Sequence, residues 1–257
     1  MSHVARKRFG QHFLVDQGII AAIVDAIDPR EGQWIVEIGP GLAALTDALL
    51  RRIPKLMAIE IDRDLAQRLR QRYPDRIELI EADVLSVDFS RIEASGKLRV
   101  VGNLPYNISS PLLVHLLDAR EHIVDQHFML QKEVVDRIVA DPGTSSYGRL
   151  GVLLQAYYDV ESLFDVPPES FDPPPRVDSA VLRMLPRRDP AAVRPELLSQ
   201  VLAAAFGQRR KMLRNTLLPW LQQRGVDAAE LSPTDRPEGI PVQTYVDLAQ
   251  RLATVQG

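Results

Sequence analysis

Apolar, β-branched runs alternate with helical patterns through the first half of the chain, and no other feature restricts the fold as much. Residues 34–38, 56–61, 77–80 and 98–101 read as strands. Apolar residues at helical spacing occupy 19–27 before the first strand, and 42–52, 63–73 and 111–118 after it. Strands separated by helices form βαβ units, so the expected class is α/β with a parallel sheet. Residues 128–130 and 180–185 add further strands, and 150–158 a further helical segment. Pro173-Pro174-Pro175 is a stiff, extended stretch. Arg187-Arg188-Asp189-Pro190, with Pro195 soon after, reads as a linker. Beyond it the pattern is helical only, at 196–205, 208–223 and 242–253. The chain is expected to divide into an α/β domain over 1–185 and a small all-helical domain over 186–257.

A chain of 257 residues suffices for one large domain or a domain with an appendage. It contains no cysteine, which removes disulfides, zinc–thiolate sites and thiol nucleophiles and suits a reducing compartment. The five histidines, His3, His12, His115, His122 and His127, lack metal-ligand spacing, so no metal site is expected. The N-terminus is basic without the apolar region of a secretory signal, and no apolar run reaches membrane-spanning length. These features lead to the expectation of a cytoplasmic protein. Net charge is −3, but it is polarised: residues 1–14 and 186–257 each carry +3 and residues 15–185 carry −9. Basic ends on an acidic body are compatible with a phosphate-bearing partner.

Glu37-Ile38-Gly39-Pro40-Gly41-Leu42-Ala43 ends the first long strand and opens a helix. Glycines there permit a tight turn and the close approach of a ligand. A Gly-X-Gly pair alone also occurs in dinucleotide folds. The acids around it shift the balance. Glu37 precedes the first glycine. Glu60 ends the next strand, where a carboxylate can accept two ribose hydroxyls. Asp83 follows the third, where a carboxylate can accept an adenine amine. In series they favour S-adenosylmethionine over NAD.

Asn103-Leu104-Pro105-Tyr106 follows the strand at 98–101, and Ser109-Ser110-Pro111 reads as a helix start with Ser at the N-cap and Pro at the first helical position. Loops past the carboxyl ends of strands are where open α/β sheets bind ligands. An Asn-X-Pro-Tyr segment in that place suits holding the exocyclic amine of an adenine for methyl transfer. The Asn103 side-chain oxygen and the Leu104 carbonyl are candidate acceptors, and Tyr106 offers a ring for stacking. Arg209, Arg210, Lys211 and Arg214 are placed on a helix, with Arg210 and Arg214 one turn apart. With Arg6, Lys7 and Arg8 they form candidate phosphate contacts.

Several segments together resemble the 16S rRNA adenine dimethyltransferases, the KsgA type. They are Lys7-Arg8-Phe9-Gly10-Gln11-His12-Phe13-Leu14, the Glu37–Leu42 loop, Asn103-Leu104-Pro105-Tyr106-Asn107-Ile108-Ser109 and Phe128-Met129-Leu130-Gln131-Lys132-Glu133. To these are added Tyr147-Gly148-Arg149-Leu150, Phe171-Asp172-Pro173-Pro174-Pro175-Arg176-Val177-Asp178-Ser179 and Phe206-Gly207-Gln208-Arg209-Arg210-Lys211. The resemblance runs nearly the whole length. It implies a Rossmann-like S-adenosylmethionine-dependent methyltransferase sheet with the helical domain contacting rRNA. By the resemblance, His12, Leu14, Gly39, Gly41, Glu60, Asp83 and Asn103 would bind the cofactor. Asn103, Leu104, Pro105 and Tyr106 would form the catalytic segment, with Phe171 on the other face of the target base. His12 stands where many members have Asn, and Ala43 where some have a third Gly. The implied reaction dimethylates two adjacent adenosines in the 3′-terminal hairpin loop of 16S rRNA, within the small ribosomal subunit, with a role in subunit biogenesis. The protein is expected to be a monomer. Two alternatives are a 23S rRNA adenine dimethyltransferase of the antibiotic-resistance type and an assembly factor acting mainly by binding.

Overall fold

The structure, a computed structural model, describes residues 12–92, 94–208 and 211–256. Its strands in chain order are β1 (Phe13–Leu14), β2 (Trp34–Ile38), β3 (Leu56–Glu60), β4 (Ile77–Glu81), β5 (Leu98–Asn103), β6 (Ile123–Gln131), β7 (Tyr158–Val166), β8 (Phe171–Asp172) and β9 (Ser179–Pro186). The helices are α1 (Gln17–Ile27), α2 (Ala44–Leu49), α3 (Arg63–Arg72), α4 (Ser109–His115), α5 (Lys132–Ile138), α6 (Arg149–Gln155), α7 (Pro195–Phe206), α8 (Leu217–Gln222) and α9 (Val242–Gln256). Short 3₁₀ turns complete the connections. No described helix is long and apolar enough to cross a membrane.

Two compact units result. The first comprises the chain up to Val135 together with Glu161–Pro186; the second comprises Asp136–Val160 and everything from Arg187 on. The sequence placed the single boundary after residue 185. The segment from Asp136 to Val160 departs from that division because α6 packs on α7 and α9. Within this second unit the Phe206 ring lies between Tyr147 and Tyr245, with centroids 6.4 and 5.8 Å away. The two tyrosine hydroxyls donate to the carbonyls of Ile240 and Pro237, each at 2.9 Å.

The first unit is organised by a seven-stranded sheet of order β4-β3-β2-β5-β6-β9-β7. The pairs β4–β3, β3–β2, β2–β5 and β5–β6 are parallel, and β6–β9 is antiparallel. The chain winds outward from β2 to β3 and β4, then returns across β2 to lay down β5 and β6. The direction reverses between β2 and β5, so their carboxyl ends open a crevice there. The central strands are nearly continuous apolar runs because both faces are covered: Ile35, Val36 and Ile38 of β2 and Val100 and Val101 of β5 are at most 2 % exposed.

A buried arginine links β5 to the end of α1. Arg99 bonds both carboxylate oxygens of Asp125 on β6, at 2.9 and 2.6 Å, and Gln33 at 2.7 Å. Its remaining donors reach the carbonyls of Ile27 and Asp28, which α1 leaves without intrahelical partners. Asp16 caps the other end of α1, accepting from the backbone N–H groups of Gly18 and Ile19.

Three local readings change. The helix after Tyr106 begins at Ser109, with Ile108 at the N-cap; the Ser109 hydroxyl donates to the Tyr106 carbonyl at 3.0 Å. Pro111 is its third residue, a place as tolerant of a missing N–H as the first. The segment at 150–158 is helical only to Gln155, and the β-forming Tyr158 opens β7. The reading of one helix over 208–223 resolves into a 3₁₀ turn at Leu213–Asn215 followed by α8. Arg214 therefore sits on that turn, and Arg210, its partner in the helical reading, lies outside the described residues. The two-residue strands β1 and β8 carry too little pattern to be read from sequence.

Candidate active site

The crevice between β2 and β5 continues into a cleft of about 320 Å³, all of it within the first unit. Gly39 and Gly41 turn the chain out of β2 at φ +65° and +59°, backbone that costs an L side chain roughly 1–2 kcal/mol. Ala43 shares this left-handed conformation, at φ 72°, which explains the glycine found there in some members of the resembled family.

Glu60 sits at the end of β3, buried against this turn. One of its carboxylate oxygens accepts from Gly41 N at 3.2 Å and the other from Asp62 N at 2.9 Å. Each oxygen keeps a second lone pair, so the group can still accept two hydroxyl donors. Burial pushes its pKa above the ordinary carboxylate value. Glu37, the penultimate residue of β2, is more deeply buried. Its pKa is pushed up to about 7 by burial, against a 2.7 Å hydrogen bond from Thr46 Oγ1, with the charge of Glu60 adding to the rise. Asp83 follows β4, and its Oδ1 accepts from Leu85 N at 3.0 Å. Leu42 and Ile61, two of the few large apolar side chains left exposed, both line this cleft. Acceptors at the ends of neighbouring strands beside apolar walls match an adenosyl group, with hydroxyls at one point and a flat ring at another.

At the end of β5, Asn103 and Met129 of β6 are register partners, and Leu104 N donates to the Met129 carbonyl at 3.1 Å. These bonds hold the loop as a continuation of the sheet. Asn103 Nδ2 donates to the His12 carbonyl at 3.1 Å. A carbonyl can only accept, so the amide orientation is set and Oδ1 is left as an acceptor toward the cleft. The Tyr106 hydroxyl hydrogen-bonds Ser179 Oγ at 2.9 Å, and burial raises its pKa. The His12 ring lies nearly parallel to the Tyr106 ring, at 25° and 5.9 Å between centroids.

The cleft thus brings together His12, Leu14, Gly39, Gly41, Glu60, Asp83, Asn103, Leu104, Pro105 and Tyr106. Phe171 is different. It pairs with Leu14 in the β1–β8 ladder, is only 4 % exposed and belongs to the apolar core, so it does not line the cleft. Lys211 and Arg214 are exposed on the second unit, with no carboxylate partner among the described residues. Arg6, Lys7, Arg8, Arg209 and Arg210 lie outside the described residues. His127, Met129 and Val181 also line the cleft. In the sequence His127 stands only as one of five histidines without metal-ligand spacing. Burial lowers its pKa to about 4, which leaves the ring neutral.

A parallel sheet reversing direction at β2, an acid-lined adenosyl site and an Asn-X-Pro-Tyr loop at the adjacent strand end define a Rossmann-like adenine methyltransferase. The chain belongs to the ribosomal RNA adenine dimethylase family, whose model matches residues 2–254. The enzymes of this family use S-adenosyl-L-methionine. The chain is 59 % identical over 257 residues to ribosomal RNA small subunit methyltransferase A of Albidiferax ferrireducens, covering 99 % of this chain and 97 % of that protein. It is 57 % identical to the protein so described from Paracidovorax citrulli, covering 98 % of this chain and all of the other. Among solved structures, a dimethyladenosine transferase from Plasmodium falciparum matches with a TM-score of 0.79 and 23 % identity, over 95 % of this chain and 98 % of that one. The 23S rRNA methyltransferase ErmE matches with a TM-score of 0.69 and 26 % identity, over 94 % and 99 %.

Proposed function

We propose that this protein dimethylates the exocyclic amines of two adjacent adenosines in the 3′-terminal hairpin loop of 16S rRNA, within the small ribosomal subunit in the cytoplasm. The single observation that carries the reading is the Asn103 amide, oriented by the His12 carbonyl at the end of β5, beside the adenosyl-type cleft. The small-subunit target rests on relatives 59 and 57 % identical, against 26 % for the 23S enzyme.

Glu60 would hold the ribose hydroxyls and Asp83 the adenine amine of the cofactor, with Leu42 and Ile61 against its apolar surfaces. When bound, S-adenosyl-L-methionine supplies a methyl group on a sulfonium, whose departure as a neutral thioether needs no metal or covalent nucleophile. The difficulty lies in the target amine, whose lone pair is delocalised into the ring. Asn103 Oδ1 and the Leu104 carbonyl accept its two N–H groups, favour a pyramidal nitrogen and stabilise the positive charge that develops there. Tyr106 stacks on the base once it has left the RNA stack. The amine proton leaves late, to water, so no side chain acts as general base. The basic residues of the second unit, Arg209, Arg210, Lys211 and Arg214, and Arg6, Lys7 and Arg8 near the N-terminus, contact rRNA phosphates.

The test is methyl transfer from labelled S-adenosylmethionine to unmethylated small and large subunits, followed by digestion to nucleosides and mass spectrometry. Dimethyladenosine from small subunits only is expected. Label in large-subunit RNA would move the protein to the 23S branch. Subunit binding without label would leave an assembly factor.

A further inference from the structure

A glycine inside a strand weakens it and packs nothing, so its presence calls for a reason. Gly102 belongs to β5 and directly precedes Asn103. Its φ is not positive, so the reason is space and not backbone conformation. The parallel register of β2 with β5 runs from Trp34–Leu98 to Glu37–Val101, and one step further Gly102 lies against Ile38. A Cβ on Gly102 would stand 2.6 Å from the Ile38 carbonyl oxygen and 3.3 Å from Leu104 Cδ2. Ordinary contact begins at 3.4 Å, so against 2.6 Å a methyl group lacks about 0.8 Å. We propose that Gly102 is a positioning residue for methyl transfer. Its missing side chain lets the end of β5 close on the Ile38 carbonyl, and this approach sets the distance between the Gly39–Gly41 turn and the Asn103 amide. The inference rests on the adenosine methylation proposed above, with the turn on the donor side and the amide on the acceptor side.

The Ile38 carbonyl does not turn aside freely. It shares one planar peptide group with the Gly39 N–H, which donates to the Ile59 carbonyl of β3 at 2.9 Å. Glu60 holds the same turn through Gly41 N at 3.2 Å. The end of β5 has less support, because it passes directly into the Pro105-Tyr106 loop. Its hold on β6 is the register of Asn103 with Met129 and the bond from Leu104 N to the Met129 carbonyl at 3.1 Å. A side chain at 102 is therefore relieved by a shift of Asn103 and Leu104, the residues whose oxygens face the target amine. A misplacement of ~1 Å costs on the order of 10²-fold in rate.

The experiment uses the full chain with unmethylated small subunits. It reads the single-turnover rate at saturating cofactor, KM for subunits, and S-adenosylhomocysteine affinity by calorimetry. Gly102→Ala should lose about 10- to 100-fold in rate, with subunit KM and S-adenosylhomocysteine affinity within about threefold of wild type. Gly102→Ser brings the same Cβ and should match it. Gly151→Ala is the control for stability: its Cβ would lie 2.3 Å from the Arg137 carbonyl, within the second unit. It should lower the urea midpoint and keep its rate within about threefold of wild type. On a Leu104→Ala background, which removes the neighbour at 3.3 Å, Gly102→Ala should lose the same factor. That pair carries the test if the single variant does not fold. A loss confined to S-adenosylhomocysteine affinity, or one that grows from Ala to Ser, would overturn the proposal, because the side chain would then be filling the cleft that Gly102 lines. An equal rate loss in Gly151→Ala, a full rate in Gly102→Ala, or a factor that vanishes on the Leu104→Ala background would also overturn it. A wild-type protein that transfers no methyl group to subunits would instead remove the underlying reading.

Discussion

Asn103 donates through Nδ2 to the backbone carbonyl of His12 at 3.1 Å, a contact between residues 91 positions apart. It commits the donor half of the amide to the protein and leaves the acceptor half for substrate. Asn103→Ala removes an acceptor that gains strength only as charge develops on the amine. Turnover should fall ~10²–10³-fold, as for one preorganised polar contact, with cofactor affinity changed only a few-fold. Single-turnover methylation and equilibrium binding of the same preparation check it. Near-normal turnover would remove Asn103 from the mechanism.

The Tyr106 hydroxyl is tied to Ser179 Oγ at 2.9 Å, and Ser179 is fully buried on β9. That bond orients the ring, whereas stacking needs only the ring itself. Tyr106→Phe should lose about 1 kcal/mol of positioning at most, and Tyr106→Ala should lose most activity. Equal deficits in the two variants would assign the chemistry to the hydroxyl.

The parallel sheet and its two functional loops were legible because their signals are local. Strand ends, the glycine turn and the acids at 37, 60 and 83 all lie within a few residues of the elements that position them. What escaped was set by distant contacts. Phe171 reads as an aromatic beside a proline loop, but its pairing with Leu14 turns it into the core. The buried His127 follows the polar Asp125-Gln126 and precedes the apolar run, and the pairing of β6 with β5 brings it to the wall of the cleft. Residues 136–160 read as a continuation of the first domain, and their membership of the second unit follows from how α6 packs on α7 and α9, which spacing does not encode.

Lys211 and Arg214 are exposed, on a segment whose backbone is held by Leu213 N to the Asp235 carbonyl at 2.8 Å and Arg214 N to the Pro233 carbonyl at 3.1 Å. If they contact phosphates, affinity for small subunits should fall steeply with salt. Lys211→Gln with Arg214→Gln should then flatten the log–log slope by about 1–2. Filter binding between low and moderate salt measures it. An unchanged slope would place the RNA contacts elsewhere.

Arg99 and Asp125 are buried partners, at 2.6 Å between Arg99 Nη2 and Asp125 Oδ2, and Arg99 also terminates α1. Arg99→Met leaves a buried carboxylate and two helix-end carbonyls without their donor. The expected cost is about 3–5 kcal/mol. Arg99→Met with Asp125→Leu should recover a large part, since the pair as a whole gains little over apolar packing. Urea denaturation of the single and double variants tests this, and a double variant worse than the single would contradict it.

Glu37 and His127 give the folded state opposing pH dependences. The Glu37 pKa rises from 4.5 to about 7 on folding, so between those values the folded protein binds more protons than the unfolded chain. Its contribution is lost as pH rises through that window, on the order of 3 kcal/mol in all. The His127 pKa falls from 6.5 to about 4, so there the unfolded chain binds more protons and stability grows as pH rises, by a similar amount. From about pH 4.5 to 6.5 the two slopes nearly cancel. Glu37→Gln keeps an acceptor for Thr46 and removes one of them. Relative to wild type it should gain stability steadily from pH 4.5 to 7. His127→Leu should show its advantage over wild type shrinking from pH 4 to 6.5. Urea midpoints of the three proteins at pH 5 and 7.5 decide the matter. A Glu37→Gln difference that is flat, or that falls with pH, would mean that Glu37 is already ionised in the folded state at pH 5.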